Sequence, residues 1–226
     1  MFVAVAIPIA AYLIGAIPFS YLIARAKGID LSRVGSGNIG ATNVARALGK
    51  KYGVAAFFLD FVKGAVPVAA AVPVAGFFDP TAPQAFGHES VLRVLAALLA
   101  FLGHLFPVYL KFKGGKGVAT GAGAVAVLVP VPFVVAVLTW VSVTLATRFV
   151  SAGSIASVIA LVVVRLLETR TAFAYPEWVV TTFCLAGAAV VIIKHRANVR
   201  RLFAGTENAV GDGPMRHTFL RGLHLL

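Results

Sequence analysis

Apolar residues run along this chain in long blocks, and the polar residues are gathered into short breaks between them. The blocks cover roughly residues 2–24, 53–77 and 91–110, then a stretch from about 117 to 167, then 177–194. Blocks of ~20 residues with almost no charge predict membrane-crossing helices. The stretch 117–167 is too long for one helix and is broken at Pro130-Val131-Pro132 and again between Arg148 and Gly153. It predicts three shorter or tilted helices, 117–133, 134–149 and 152–167. The sum is an all-α, polytopic integral membrane protein of about seven transmembrane helices, read as a single domain over residues 1–226. Six crossings is the alternative, if 117–149 forms one bent or re-entrant element.

Composition agrees with that pattern. The chain is 60% apolar and 12% charged, with a mean hydropathy of +0.94, which a water-soluble domain rarely shows. Its net charge is +12. No cation precedes the first block, while Arg25, Lys27 and Arg33 follow it, so the N-terminus is predicted outside and the first loop in the cytoplasm. The first block reads as a retained span, since no cleavable signal is evident. Seven crossings then place residues 25–51, 111–116, the turn at Arg148 and the tail from Lys194 on the cytoplasmic side, with 16 of the 20 Lys and Arg residues. Arg93, Arg165 and Arg170 fall in the outer loops and Lys63 inside a helix. Tyr52, Tyr109, Tyr175 and Trp178 lie near span ends, as interfacial anchors do. The basic excess suits anionic lipid or anionic substrates, and no nucleic-acid module is visible. The basic tail 209–226, with scattered apolar residues, is expected either to lie on the membrane surface or to be a poorly ordered end. The single cysteine, Cys184, sits in an apolar run, so neither a disulfide within one chain nor a thiolate metal set is expected.

Three glycine-rich basic segments interrupt the apolar blocks, within loops 25–51, 111–120 and 194–213. In the first, Gly35, Gly37 and Gly40 let the backbone turn and approach a ligand. Ser36, Asn38, Thr42 and Asn43 bring side-chain donors, a helix starting near Asn38 would aim N–H groups at an anion, and Arg46 would act as a clamp. In the second, Lys113 and Lys116 flank Gly114 and Gly115, with Gly117 following; this is a cationic nest without the spacing of a nucleotide-binding P-loop. In the third, His195, Asn198 and Arg201 fall roughly on one helix face, followed by Gly205 and Glu207. All three are predicted to converge on one phosphate site. Asp60 and Lys63, inside the second span, are spaced to neutralise each other, as a structural pair or one that also orients the site. His104, late in the third span, reads equally as a bonded core histidine or a site residue. The eight carboxylates are scattered with no cluster suited to a metal, and there is no Gly-x-Ser-x-Gly elbow or His-x-x-x-x-Asp motif. Phosphate would then be held by cations and N–H groups.

These segments together resemble the bacterial acyl-phosphate:glycerol-3-phosphate acyltransferase family. The resemblance rests on Gly35–Arg46, Asp60-Phe61-Val62-Lys63-Gly64, Gly103-His104-x-Phe106-Pro107, Phe112–Thr120, and His195-Arg196-x-Asn198 through Gly205-Thr206-Glu207-Asn208. It implies a seven-helix fold in the bacterial cytoplasmic (inner) membrane, with the active site facing the cytoplasm. It implies transfer of a fatty acyl group from acyl-phosphate to the 1-hydroxyl of glycerol 3-phosphate, giving lysophosphatidic acid and phosphate, with no cofactor. Its functional links would be the enzyme forming acyl-phosphate and the next acyltransferase. Ser36, Arg46, Lys113, Lys116 and His195 are then expected to be catalytic. Gly35, Gly37, Asn38, Gly40, Thr42, Asn43, Lys63, His104, Gly114, Gly115, Gly117, Asn198, Arg201, Gly205 and Glu207 are expected around the substrates. Acyl-phosphate is already activated, so direct attack by the glycerol hydroxyl is expected, with a substrate phosphate favoured as base over His195 or Glu207. Which loop holds which phosphate stays open. The competing classes are an organic-phosphate transporter, supported only by Asp60–Lys63, and a lipid-phosphate phosphatase.

Overall fold

The computed structural model describes residues 2–81 and 88–211. Asp212, the tail beyond Gly211 and the middle of the polar turn at 77–90 lie outside the described residues. The described chain is helical throughout. α1 (Phe2–Ala16) and α2 (Phe19–Arg25) form one crossing interrupted at Ile17-Pro18. α3 (Ala41–Leu48) lies in the first loop. α4 (Lys50–Phe78), α5 (Glu89–Leu105), α6 (Val118–Leu128), α7 (Pro130–Thr147), α8 (Val150–Glu168) and α9 (Glu177–Lys194) build the bundle, and α10 (Arg196–Phe203) follows α9.

Six helical segments are long and apolar enough to cross a membrane. The exception is α6, whose 11 residues span ~16 Å at the helical rise, about half a ~30 Å hydrocarbon core. The expected division at 133/134 is corrected to Val129. Proline is tolerated in the first turn of a helix, where its missing N–H has no partner to lose. Pro130 and Pro132 therefore open α7, and Val129 breaks the helix before them with φ −142°. α6 descends partway and α7 returns, so the third segment still meets the first two. Arg165, expected in an outer loop, is instead buried in the last turn of α8. Its Nε donates to Thr181 Oγ1 (3.3 Å), and its guanidinium pairs with Glu177 at the start of α9.

Glycine sets the closest helix contacts. A Cβ at Gly64 of α4 would collide with the Thr120 carbonyl of α6, and one at Gly123 with the Phe61 carbonyl. Gly15 of α1 and Gly103 of α5 meet the facing backbones in the same way. Small residues let membrane helices approach backbone to backbone, where dispersion replaces the hydrophobic effect as the association force. Outward positions carry exposed Val5, Ile9, Val54, Phe58, Val134 and Leu138, a surface that only lipid satisfies. Tyr109, Tyr175 and Trp178 are also exposed near span ends.

The charges inside the bundle are paired as their spacing predicts. Lys63 Nζ lies 2.8 Å from Asp60 Oδ1, and both side chains are buried. Lys63 also donates to the Ile17 carbonyl (2.7 Å), and Ser20 Oγ donates to Asp60 Oδ2 (2.8 Å). Pro18 has no N–H to continue the helix; the Ile14 carbonyl accepts instead from the Ile17 N–H (3.1 Å), and Lys63 anchors the Ile17 carbonyl at the break between α1 and α2.

Candidate functional site

The first loop is shaped by its glycines and by one asparagine. Gly35 and Gly37 adopt left-handed backbone, φ +59° and +67°, at low cost only for glycine. Asn43, on α3, is buried and accepts from the Ser36 N–H (3.2 Å), while its Nδ2 donates to the carbonyls of Leu31 (3.2 Å) and Val34 (3.0 Å). Both amide protons are taken, so Asn43 pins the loop and the expected ligand donor becomes a brace. Helix α3 begins at Ala41, three residues later than expected, and no side chain caps its N-terminus. Ser36, Asn38, Gly40, Thr42 and Arg46 face a common cleft.

The second loop divides its residues between two tasks. Gly115 N–H donates to the His104 carbonyl (3.2 Å). A Cβ at Gly114 or Gly115 would collide with His104 atoms, so these glycines allow the loop to lie on the end of α5 rather than forming a nest in the cleft. Gly117, φ +85°, precedes α6, which also lacks a side-chain cap. Lys116 reaches the cleft and donates to Asn198 Oδ1. Lys113 is exposed and does not line the cleft. His104 does line it, yet Nδ1 is engaged: Thr120 Oγ1 gives its proton to the Asp60 carbonyl (2.9 Å) and accepts from His104 Nδ1 (3.1 Å). Lys63 sits behind the cleft beside Asp60 and Gly115.

The third segment closes the arrangement with one carboxylate. Glu207 Oε1 accepts from Asn198 Nδ2 (2.6 Å) and Ser151 Oγ (2.9 Å), and Oε2 accepts from Arg201 Nε (2.7 Å). Gly205, φ +67°, turns the chain so that residues 206–210 come back as a strap. Asn208 offers its carbonyl to Arg46 (3.2 Å), the Val210 N–H donates to the Arg148 carbonyl (2.7 Å), and the Arg148 guanidinium donates to the Val210 carbonyl (2.8 Å). His195 is buried, with Nδ1 2.7 Å from the Val191 carbonyl. A carbonyl only accepts, so Nδ1 carries the proton and Nε2 is left for a ligand.

Electrostatics follow from burial. The Lys116 ammonium is pushed down to about 8 by burial and by the Arg201 and Arg46 charges, with Glu207 opposing. His195 falls to about 4, through burial and then the Lys116 charge, so it is neutral at physiological pH. Burial pushes the Glu207 carboxyl up, but its bonds from Asn198, Arg201 and Ser151 together hold it below the ordinary range.

Sequence reasoning missed Ser151, Ser154, Trp140 and Phe57, which also line the cleft, as does Asp60. Ser151, Ser154 and Ser157 fall at three-residue spacing on one face of α8, a polar stripe within a span that could have marked them. Trp140 Nε1 donates to Ser154 Oγ (3.3 Å). Helix α8, like α3 and α6, starts at the cleft without a side-chain cap. Three helix N-termini, with the unmatched N–H groups of a first turn, thus join Lys116 and Arg46 around a cavity of 100 Å³. Phe57, Gly117, Val118 and Trp140 also line a second cavity of 360 Å³ that is almost wholly apolar. Cleft and groove thus lie side by side and share these four wall residues.

A bundle of membrane-length helices, with half-buried cations in a cleft beside an apolar groove, defines an integral membrane protein. The chain belongs to the glycerol-3-phosphate acyltransferase family, whose family model matches residues 5–205. The glycerol-3-phosphate acyltransferase of Aquifex aeolicus is 42% identical over 198 residues, covering 88% of this chain and 94% of that protein. That of Anaeromyxobacter sp. is 44% identical over 199 residues, covering 88% and 92%. The crystal structure of PlsY (YgiH), an integral membrane glycerol 3-phosphate acyltransferase, matches in its glycerol 3-phosphate form with a TM-score of 0.79 at 41% identity, covering 92% of this chain and 96% of that one. Its lysphosphatidic acid form gives 0.76 at 40%, covering 92% and 95%. The protein is thus an integral membrane acyltransferase.

Proposed function

We propose that this enzyme transfers a fatty acyl group from acyl-phosphate to the 1-hydroxyl of glycerol 3-phosphate, without a metal, at the cytoplasmic face of the bacterial inner membrane. The observation that carries the reading is the junction of cleft and groove. Uncapped helix N-termini, Lys116 and Arg46 meet at the mouth of an apolar channel, which matches a phosphate attached to an acyl chain. The related PlsY crystal forms with glycerol 3-phosphate and with lysphosphatidic acid support the acceptor and the product. The sequence segments predicted on the cytoplasmic side carry 16 of the 20 Lys and Arg residues, which supports a cytoplasmic site with the N-terminus outside.

In the mechanism, the glycerol hydroxyl oxygen attacks the acyl carbonyl carbon, and the carbon–oxygen bond to phosphate breaks. Phosphate leaves with the electron pair, and the hydroxyl proton ends on phosphate. A substrate phosphate serves as base, because the Glu207 oxygens are occupied by three donors and His195 is a weak base near 4. His195 Nε2 instead accepts from the neighbouring 2-hydroxyl of glycerol 3-phosphate and so orients the attacking 1-hydroxyl, whose own proton stays free for the phosphate. Lys116, Arg46 and the helix N-termini stabilise charge on the departing phosphate, the main catalytic contribution, with positioning second. Lys116 and Arg46 supply the charge that a metal brings in many phosphoryl sites. Among the described residues no three His, Cys, Asp or Glu side chains group to hold a metal.

The test is phosphate release by purified protein from palmitoyl-phosphate, with and without glycerol 3-phosphate, in the presence of EDTA. Release that needs both substrates, survives EDTA and yields lysophosphatidic acid is expected. Release without glycerol 3-phosphate would indicate a phosphatase, and loss of activity in EDTA would overturn the metal-free site.

A further inference from the structure

We propose that Gly187 sets the length of acyl chain the enzyme prefers, an inference that rests on the acyl-phosphate reading above. Helix α9 runs the length of the apolar groove, contributing Val191, Ala188, Gly187, Cys184 and Phe183 to its wall. Measured from His195 at the cleft, Gly187 lies about 12 Å down the helix and Phe183 about 18 Å. Half of a ~30 Å hydrocarbon core is about 15 Å, so the groove is about as deep as one leaflet of acyl chain. At its deep end Phe183 and Leu161 pack into a cluster with the buried residues Val129, Val180 and Val68.

Gly187 differs from the other glycines of the groove. A Cβ at Gly117 or Gly121 would meet the Phe101 ring, whereas one at Gly187 meets no protein atom within 4 Å. Gly187 has ordinary helical backbone and brings no facing helix close, yet glycine inside a helix costs ~1 kcal/mol relative to alanine. Neither conformation nor packing demands glycine here. What glycine leaves free is groove width, two-thirds of the way from the cleft to Phe183. An acyl chain that stops above this level does not use that width, and one that reaches Cys184 does.

The test compares kcat/KM for palmitoyl-phosphate and octanoyl-phosphate in the full-length enzyme and in Gly187→Ala and Gly187→Leu. The palmitoyl-to-octanoyl ratio is expected to fall at least tenfold in Gly187→Leu and much less in Gly187→Ala. An unchanged ratio, or an equal loss with both donors, would overturn the proposal. If Gly187→Leu does not fold, the unmodified protein decides through Cys184, its only thiol. Palmitoyl-phosphate should slow alkylation of Cys184 severalfold and octanoyl-phosphate should not; equal effects refute the assignment. If the wild-type enzyme turns over neither donor, the donor reading fails by itself. Protection of Cys184 by long- but not short-chain lysophosphatidic acid then still supports the role of Gly187, and equal protection overturns it.

Discussion

Lys116 makes activity and stability move in opposite directions with pH. Its ammonium titrates near 8 in the folded protein, because burial and the cations Arg201 and Arg46 disfavour its charge. Only the charged form stabilises a departing phosphate. The kcat/KM of the enzyme is therefore expected to be level near pH 7 and to fall about tenfold by pH 9, since this quantity reports the free enzyme. The other groups titrate elsewhere: a phosphate monoester loses its second proton near ~6, and His195 changes charge near 4. Stability runs the other way. The unfolded chain keeps the Lys116 proton up to 10.5. Between those values the unfolded state binds more protons than the folded state, so raising pH favours the fold. The gain is about 1.4 kcal/mol per pH unit, with a ceiling of about 3 kcal/mol across the window. Bound phosphate dianion holds the proton on Lys116, so kcat should fall at a higher pH than kcat/KM. The assay is initial-rate kinetics from pH 6.5 to 9.5, with Lys116→Arg as control, because a guanidinium stays charged throughout. A flat kcat/KM profile, or an identical falling limb in Lys116→Arg, would refute the assignment.

Two further substitutions test how the site is held. Glu207→Gln sets an amide against the Arg201 donor and weakens the hold on Asn198, so kcat should drop about 10- to 100-fold, for a loss of ~1.5–3 kcal/mol in a charge-assisted bond. A variant with the native rate would show that Glu207 does not position Asn198 and Lys116. Lys63→Ala leaves Asp60 buried without its partner and should cost about 3–5 kcal/mol of stability, largely recovered in Asp60→Asn/Lys63→Met. If thermal melting places the double variant as low as the single one, the loss in Lys63→Ala does not come from leaving Asp60 buried and unpaired.

Membrane crossings were legible because a span must be apolar over most of its length, whatever it packs against. Where helices break was less so. The break before Pro130 follows from proline chemistry, but an 11-residue α6 depends on its packing against α4 through Gly64 and Gly123, which no local pattern announces. At the site, the residues that stand out in sequence are cations and glycines amid apolar runs, and Ser36, Arg46, Lys116, His195 and Asn198 do face one cleft or its ligand-side bonds. Sequence could not apportion tasks within a motif. Lys113 and Lys116 look alike, yet only Lys116 turns inward. Asn43 looks like a ligand donor until its partners are counted. Ser151 escapes notice because a serine in an apolar helix usually bonds its own backbone, whereas this one finds Glu207, 56 positions along the chain.

The strap formed by residues 206–210 also makes the site a long-range assembly. Glu207 accepts from Asn198, Arg201 and Ser151, and the Asn208 carbonyl accepts from Arg46, 162 positions earlier in the chain. One short segment thus ties α3, α8 and α10 together around the cleft. Packing the crossing helices is therefore not enough to complete the chemistry: the cleft has its bonded geometry only when this strap is docked, so a lesion that loosens the strap can silence the enzyme in a bundle that is otherwise intact.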